Sequence, residues 1–245
     1  KILNQPIYEM LGGKERDTIP VTWVVGMKDL KGSVEEALEY IKLGYKTLKI
    51  KVGRSPEIDV ELVKTIREAV GPNIALRLDA NQGYDYSTAL QVFSKIQKYD
   101  IESLEQPVRR WNYDGLKQLK QRLHVPIMAD ESVSCLNDLS NILNNRAADL
   151  VNIKVGKVGG LLPSKKIAHT LETFDIHATS GSNLELSVGT AASVHFVASS
   201  PNLDFPHDLY IGSPLHTEEI AETSHIFKDG SLIVSDEPGL GIMIH

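Results

Sequence analysis

Four charged residues close four short apolar runs at an almost constant interval. Asp79 lies in ALRLDAN, Glu105 in ESLEQP, Asp130 in PIMADES and Lys154 in LVNIKVG, at successive separations of 26, 25 and 24 residues. A fifth run, TLKIKVG, carries Lys49 and Lys51 ahead of them. An interval of that size holds one strand, one helix and their turns, with little room for anything else. Strict strand–helix alternation makes a parallel sheet. A polar residue recurring at the same end of successive strands is the pattern of a barrel with its site at the C-terminal strand ends.

Taken in order, the chain predicts a helix over residues 1–13, with Ile7, Met10 and Leu11 inward and Gly12-Gly13 ending it. VTWVV reads as a first strand, and Ser33 with Glu36 as a capping box for the helix that Gly44 stops. TLKIK follows, its period of two putting Lys49 and Lys51 on one face. Ser55-Pro56 then opens a helix whose inner stripe is Ile58, Leu62, Ile66, Ala69 and Val70. Helices near 85–98, 112–123, 136–147, 163–174 and 188–199 alternate with ALRLD, ESLE, PIMA, LVNIK and HATS, and a short strand at Leu203–Phe205 closes the series. The expected fold is α/β, a (β/α)7β TIM-like barrel of eight strands and seven helices. An open doubly wound sheet is the alternative, but VTWVVG lacks the phosphate-binding glycine pattern that such a sheet carries after its first strand. From Ile226 the rhythm changes to short strands around turns, IFKDGSLIV and EPGLGIMI, as in a tail that leaves the barrel. The expected division is a linker helix at 1–18, the barrel at 19–225 and the tail at 226–245.

Composition narrows the setting. The chain has 245 residues, 42% of them hydrophobic, and a formal charge of −6. That balance argues against a nucleic-acid partner and against a polybasic membrane surface. No run is long and apolar enough for a membrane span. A lone cysteine, Cys135, rules out an internal disulfide framework and suits a reducing cytoplasm. It is expected to be a buried or incidental thiol.

Carboxylates at the ends of three neighbouring strands converge, and three like charges at close range need a cation. Oxygen donors without histidine or cysteine nearby favour Mg²⁺ or Mn²⁺ over zinc. Lys51 and Lys154 flank the acids in the strand series, and burial beside a cation such as Lys49 is what lowers a lysine's pKa enough for it to act as a base. The competing reading is that the acids cap helices or form plain ion pairs with the lysines. The eight histidines show no metal-ligand spacing, and Trp23 and Trp111 read as core or rim aromatics.

The ordered set LKIKVG, LDAN, LEQP, ADES, NIKVGKVGG and EPGLGIMI resembles the enolase superfamily in its muconate lactonizing enzyme subgroup, within the mandelate racemase/muconate lactonizing enzyme family. The resemblance spans essentially the whole chain. It implies that Asp79, Glu105 and Asp130 hold a divalent metal, Mg²⁺ or Mn²⁺. Lys51 and Lys154 are then the two acid/base groups, and Lys49 tunes Lys51. Asn81, Glu131 and Glu185 stand close to these groups, Glu185 alternatively capping the helix after it. The family carries an N-terminal capping domain, which this chain looks to lack, and the tail would pack on it.

The implied chemistry is proton abstraction α to a carboxylate through an enediolate, a metal-and-lysine solution borrowed from that superfamily. A muconate cycloisomerase-like isomerase leads, in which HDLYIGSPLHTEEI carries the resemblance. An N-acylamino acid racemase or o-succinylbenzoate synthase comes next. A dipeptide epimerase is weakened, because its D-x-D pair is replaced here by Asp204 and Asp208, four apart. An acid dehydratase and a non-catalytic fragment complete the range. The implied partner is a small-molecule carboxylate substrate; a homo-oligomer is compatible with the sequence but not legible in it.

Overall fold

Strands buried on both faces must be apolar nearly throughout, and the short runs of this chain meet that demand. The computed structural model describes residues 1–209, 215–222 and 225–244. Its strands are β1 (Thr18–Pro20), β2 (Trp23–Val25), β3 (Thr47–Lys51), β4 (Ala75–Asp79), β5 (Ile101–Glu105), β6 (Ile127–Ala129), β7 (Leu150–Ile153), β8 (His177–Ser180), β9 (Phe227–Lys228) and β10 (Ser231–Ile233). The helices are α1 (Ile7–Met10), α2 (Leu30–Lys42), α3 (Pro56–Val70), α4 (Tyr86–Ile96), α5 (Tyr113–Arg122), α6 (Leu136–Asn145), α7 (Leu161–Thr173) and α8 (Ser187–Ala198). Strands β2 to β8 follow one another in sheet order as they do in sequence, each new strand separated from the last by one helix. This is the α/β alternation expected of the (β/α)7β class. The chain divides into two bodies, residues 23–151 and residues 1–22 with 152–245.

In the first body the ladders are parallel and in close register. Leu48 lies beside Leu76, Lys51 beside Asp79, Asp79 beside Glu105, and Glu105 beside Met128. Helices α2 to α6 connect these strands and bury one face each. Their caps come from short polar side chains: Asp29 accepts from Gly32 N, Asp85 from Thr88 N and Asn112 from Gly115 N. Trp23, Leu48, Ile50, Leu76, Leu78 and Leu104 are buried.

In the second body β1 pairs antiparallel with β10, which pairs with β9. The tail therefore folds back on the chain's own N-terminal segment, with a further contact from Ile7 N to Gly239 O at 2.9 Å. Gly181 N donates to Ile153 O at 3.1 Å, and α7 and α8 flank β8.

Several local expectations are corrected. The helix at 1–13 shrinks to Ile7–Met10, and Tyr8, not Met10, turns inward. Its proline at position 6 and the glycine pair leave room for a single turn. Ser33 does not cap α2; Asp29 does, and Glu36 instead accepts from Trp23 Nε1 at 3.1 Å and Gly26 N at 3.0 Å. The buried stripe of α3 is Asp59, Leu62, Val63 and Ile66, with Ile58 outside. A buried aspartate on that face hid it from hydropathy. No strand forms at Leu203–Phe205; the connection is a single bridge between His207 and Val21. Residues 210–214 of the run HDLYIGSPLHTEEI lie outside the described residues.

Candidate active site

Register builds the site. Because Lys51, Asp79 and Glu105 are neighbours across three parallel strands, their side chains leave the sheet side by side on one face. Lys49, two residues earlier, shares that face one level down. Asp130 follows β6 at a position two residues beyond Met128, the partner of Glu105, so its parity is the same. Asp79, Glu105 and Asp130 are all buried.

The lysines answer those charges directly. Lys49 Nζ forms a buried ion pair with Glu105 Oε2. Lys51 Nζ lies 2.6 Å from Asp79 Oδ2 and donates to Asn81 Oδ1 at 2.7 Å. Asn81 links the row onward: its N–H donates to Asp79 Oδ1 at 2.9 Å and its side-chain amide to Glu131 Oε1 at 3.1 Å. The ion-pair reading of lysines and acids is thus what this structure contains.

A divalent cation is tested against these donors. Three buried carboxylates at the ends of adjacent strands have the hard-oxygen chemistry of Mg²⁺. Among the described residues, however, no three acid, histidine or cysteine side chains are grouped as a formed metal centre. Lysine ammoniums pair with Glu105 and Asp79 instead. The donor set fits the cation in chemistry, provided that the lysines give way.

Three further residues hold this framework, and the sequence alone did not reveal them. Gln106, directly after Glu105 in LEQP, is wholly buried with φ +36°. Its Oε1 accepts from Asp130 N at 3.0 Å and Ser132 N at 3.1 Å, and its Nε2 donates to Val108 O and Ser132 Oγ. It therefore locks the Asp130 turn to β5. Asp59 accepts from Gly53 N at 2.7 Å, from Arg54 N at 3.2 Å and from the Tyr84 hydroxyl, tying the loop after Lys51 to the loop after Asp79. Burial, then the bond to Asp59, pushes the Tyr84 phenol well above its ordinary range. The signal was available in the aspartate that broke the apolar stripe of α3.

The remaining candidates belong to the second body. Lys154 is the first residue after β7, half-buried, its carbonyl accepting from Val158 N at 3.1 Å. Lys157 Nζ donates to Asn152 O at 3.3 Å. Glu185 accepts from Ser182 Oγ and from Asn183 N at 2.9 Å, shaping its own loop. It does not cap α8. That task falls to Glu219, whose Oε2 accepts from Ser187 N at 2.9 Å and Ser187 Oγ at 2.7 Å. Desolvation pulls the Glu219 pKa upward, but these bonds and those from the backbone of Ile220 and Ala221 prevail and lower it to about 2. Asp204 pairs with His177 Nδ1 at 2.9 Å near the surface, whereas Asp208 is buried, so the two do not form a common anionic pair. Cys135 is exposed at the start of α6 rather than buried. Trp23 is a core residue and Trp111 an exposed one.

A family model described as enolase C-terminal domain-like matches residues 32–245. The L-Ala-D/L-Glu epimerase of Clostridium acetobutylicum is 35% identical over 239 residues, covering 97% of this chain and 66% of that protein. The N-succinyl-L-Arg/Lys racemase of Bacillus cereus is 35% identical over 247 residues, covering 100% of this chain and 66% of that protein. Muconate lactonizing enzyme from Pseudomonas fluorescens, solved with muconolactone, superposes with a TM-score of 0.96 at 32% identity, covering 100% of this chain and 66% of that one. The chain thus spans just under two thirds of the length of these curated relatives.

Proposed function

This chain belongs to the enolase superfamily, in its muconate lactonizing enzyme branch, and from that premise we propose that it is the site-bearing part of a divalent-metal-dependent isomerase. The reaction is removal of a proton α to a carboxylate, giving an enediolate. The observation that supports this reading most is the in-register row Lys51–Asp79–Glu105, a lysine and two buried carboxylates at the ends of three adjacent strands.

Asp79, Glu105 and Asp130 would hold Mg²⁺ or Mn²⁺. When bound, the cation supplies positive charge for the substrate carboxylate as negative charge develops on it. Lys51 is fixed at Nζ by Asp79 and Asn81, so its proton is held in one place and its transfer has a defined direction. Its ammonium can deliver a proton and its neutral amine can take one up. Lys154 takes the second proton-transfer role. Lys49, through Glu105, fixes the charge beneath Lys51. Asn81 and Glu131 orient the Lys51 side of the row, and Glu185 shapes the loop before α8.

Cycloisomerisation of a muconate-like diacid remains the lead; there one carboxylate adds across the neighbouring double bond, the enediolate forms on the other, and a lysine delivers the proton to its α-carbon, the reverse of the abstraction step. Racemisation or epimerisation is the second reading, favoured by relatives whose names carry those activities. Separation of Asp204 from Asp208 counts against a dipeptide substrate held by an aspartate pair. No helix among the described residues is long and apolar enough to cross a membrane. Cytoplasmic placement is part of the proposal, resting on the single cysteine.

The test is proton NMR in D₂O with Mg²⁺, using cis,cis-muconate, N-succinylamino acids and dipeptides. Metal-dependent deuterium incorporation at the α-carbon, lost in both Lys51→Ala and Lys154→Ala, is the expected result. Incorporation that survives both substitutions overturns the assignment of the bases.

A further inference from the structure

Gln106 ties together the segments that follow β4, β5 and β6 in the first body. Its N–H donates to Met128 O of β6 at 2.9 Å, and its carbonyl accepts from Gln82 N, in the loop after β4, at 2.8 Å. Its side-chain oxygen accepts from the N–H groups of Asp130 and Ser132, in the turn after β6. Its side-chain nitrogen donates to Val108 O at 3.0 Å and to Ser132 Oγ at 2.9 Å. Both acceptor positions and both donor protons of this buried amide are therefore used. Nor can the amide turn over, because the two N–H groups only donate and the Val108 carbonyl only accepts. Arg110 closes the circuit: its N–H donates to Gln82 Oε1 at 3.0 Å and its carbonyl accepts from Ser132 Oγ at 2.8 Å.

The backbone is held in an unfavourable shape at the same places. Asn81, Gln82 and Gln106 have φ of +40°, +66° and +36°, in the left-handed region that residues with a side chain leave unless their surroundings hold them there. Asn81 and Gln82 come just after Asp79, and Gln106 directly after Glu105. Such strain persists only where bonds over-determine the backbone. Gln106 makes bonds of that kind at all three acid-bearing strand ends. Asp79, Glu105 and Asp130 therefore leave a frame that resists widening.

We infer that Gln106 is a positioning residue: it sets the spacing of Asp79, Glu105 and Asp130 and so makes the site select Mg²⁺ against Ca²⁺. Mg²⁺ demands near-octahedral oxygens at about 2.0–2.1 Å, whereas Ca²⁺ takes oxygens at about 2.3–2.6 Å in a flexible geometry. A stiff frame penalises the larger ion, and a loose one accommodates it. The inference rests on these three acids as the cation's ligands and adds what sets their discrimination.

The experiment is displacement of bound Mn²⁺ by Mg²⁺ or by Ca²⁺, followed by electron paramagnetic resonance, on this chain stripped of metal beforehand. Gln106→Met keeps the length of the side chain and removes all four of its side-chain bonds. Ser132→Ala removes only the Ser132 Oγ bonds and keeps both N–H bonds to Gln106 Oε1. It decides the matter if Gln106→Met does not fold. The expected result is a wild-type preference for Mg²⁺ of about tenfold or more, falling to about one in Gln106→Met and lying between the two in Ser132→Ala. Loss of stability alone would weaken both cations alike and leave the ratio unmoved. Wild-type ratios in the folded variants overturn the role of Gln106 while the ligand assignment stands. Mn²⁺ binding that Asp130→Asn leaves unchanged overturns the ligand assignment, and the inference with it.

Discussion

The ammonium of Lys49 and the carboxylate of Glu105 face each other on adjacent levels of the sheet with 4% and 1% of their side chains exposed. An ion pair so buried gives up nearly all its hydration, and mutual attraction only roughly offsets that loss. Removing one partner is different, because it strands a charge inside the protein. In metal-free buffer, Lys49→Met or Glu105→Leu alone is expected to cost about 3–5 kcal/mol. The double variant is expected to recover most of it. Urea unfolding with an unchanged slope measures all three. Single costs below about 1 kcal/mol would show that the pair is not isolated from water.

Beyond the register and ion pair that join Lys51 to Asp79, the loops that follow them meet at backbone level. A Cβ placed on Gly83 would sit 2.4 Å from Gly53 O and 2.9 Å from Ala80 O, and Gly53 itself has φ +102°. The loops after β3 and β4 can close on each other only because Gly83 has no side chain. Gly83→Ala is expected to lose about 1–3 kcal/mol through overpacking. It is also expected to slow α-proton exchange, since the two loops carry Lys51 and Asn81. Wild-type stability and exchange in this variant would mean that the loops do not meet as described.

How far the sequence went can be seen at single positions. The strand-end acids and lysines were legible because a parallel strand has a fixed parity and the interval repeats; no long-range information was needed. On α3, Leu62 and Ile66 were legible as inward, but Asp59 was not, because hydropathy counts an aspartate as outward. Its burial is intelligible only once Gly53, Arg54 and Tyr84, up to 25 residues away, supply its donors. Gln106 was in plain view in LEQP, yet its task depends on where Asp130 and Ser132 turn. The capping of α8 by Glu219, 32 residues downstream, has no local signature at all.

Glu219 gives that remote cap a pH signature. Its carboxylate holds the first N–H of α8, where the helix dipole also favours negative charge. The folded pKa of about 2 lies below the ordinary 4.5, so the unfolded chain binds the proton more readily. The stabilisation is therefore complete above about pH 4.5 and fades as pH falls towards about 2. Glu219→Gln is expected to lose on the order of 1 kcal/mol at pH 7, as for loss of a helix cap. Its stability should then converge on that of the wild type through that acid window. Parallel unfolding curves at pH 7, 5, 4 and 3 read the difference, and a gap independent of pH would contradict the cap.

Mg²⁺ and the lysines compete for the same carboxylates, which makes the metal assignment testable without turnover. If Asp79, Glu105 and Asp130 hold the cation, Lys49 and Lys51 must yield oxygens that they now occupy. Added Mg²⁺ should raise the thermal midpoint, with about 2.7 kcal/mol of stabilisation at a hundredfold excess over its dissociation constant. Asp130→Asn removes one ligand charge while leaving Lys49, Lys51, Asp79 and Glu105 in place and is expected to abolish most of the shift. Lys49→Met should enlarge the shift, because the cation then neutralises a Glu105 that has lost its ammonium. That opposite response separates metal binding at these acids from general salt stabilisation, which would move all three proteins alike. Equal shifts in the wild type, Asp130→Asn and Lys49→Met would place the cation elsewhere and leave the acids as ion-pair partners of the lysines.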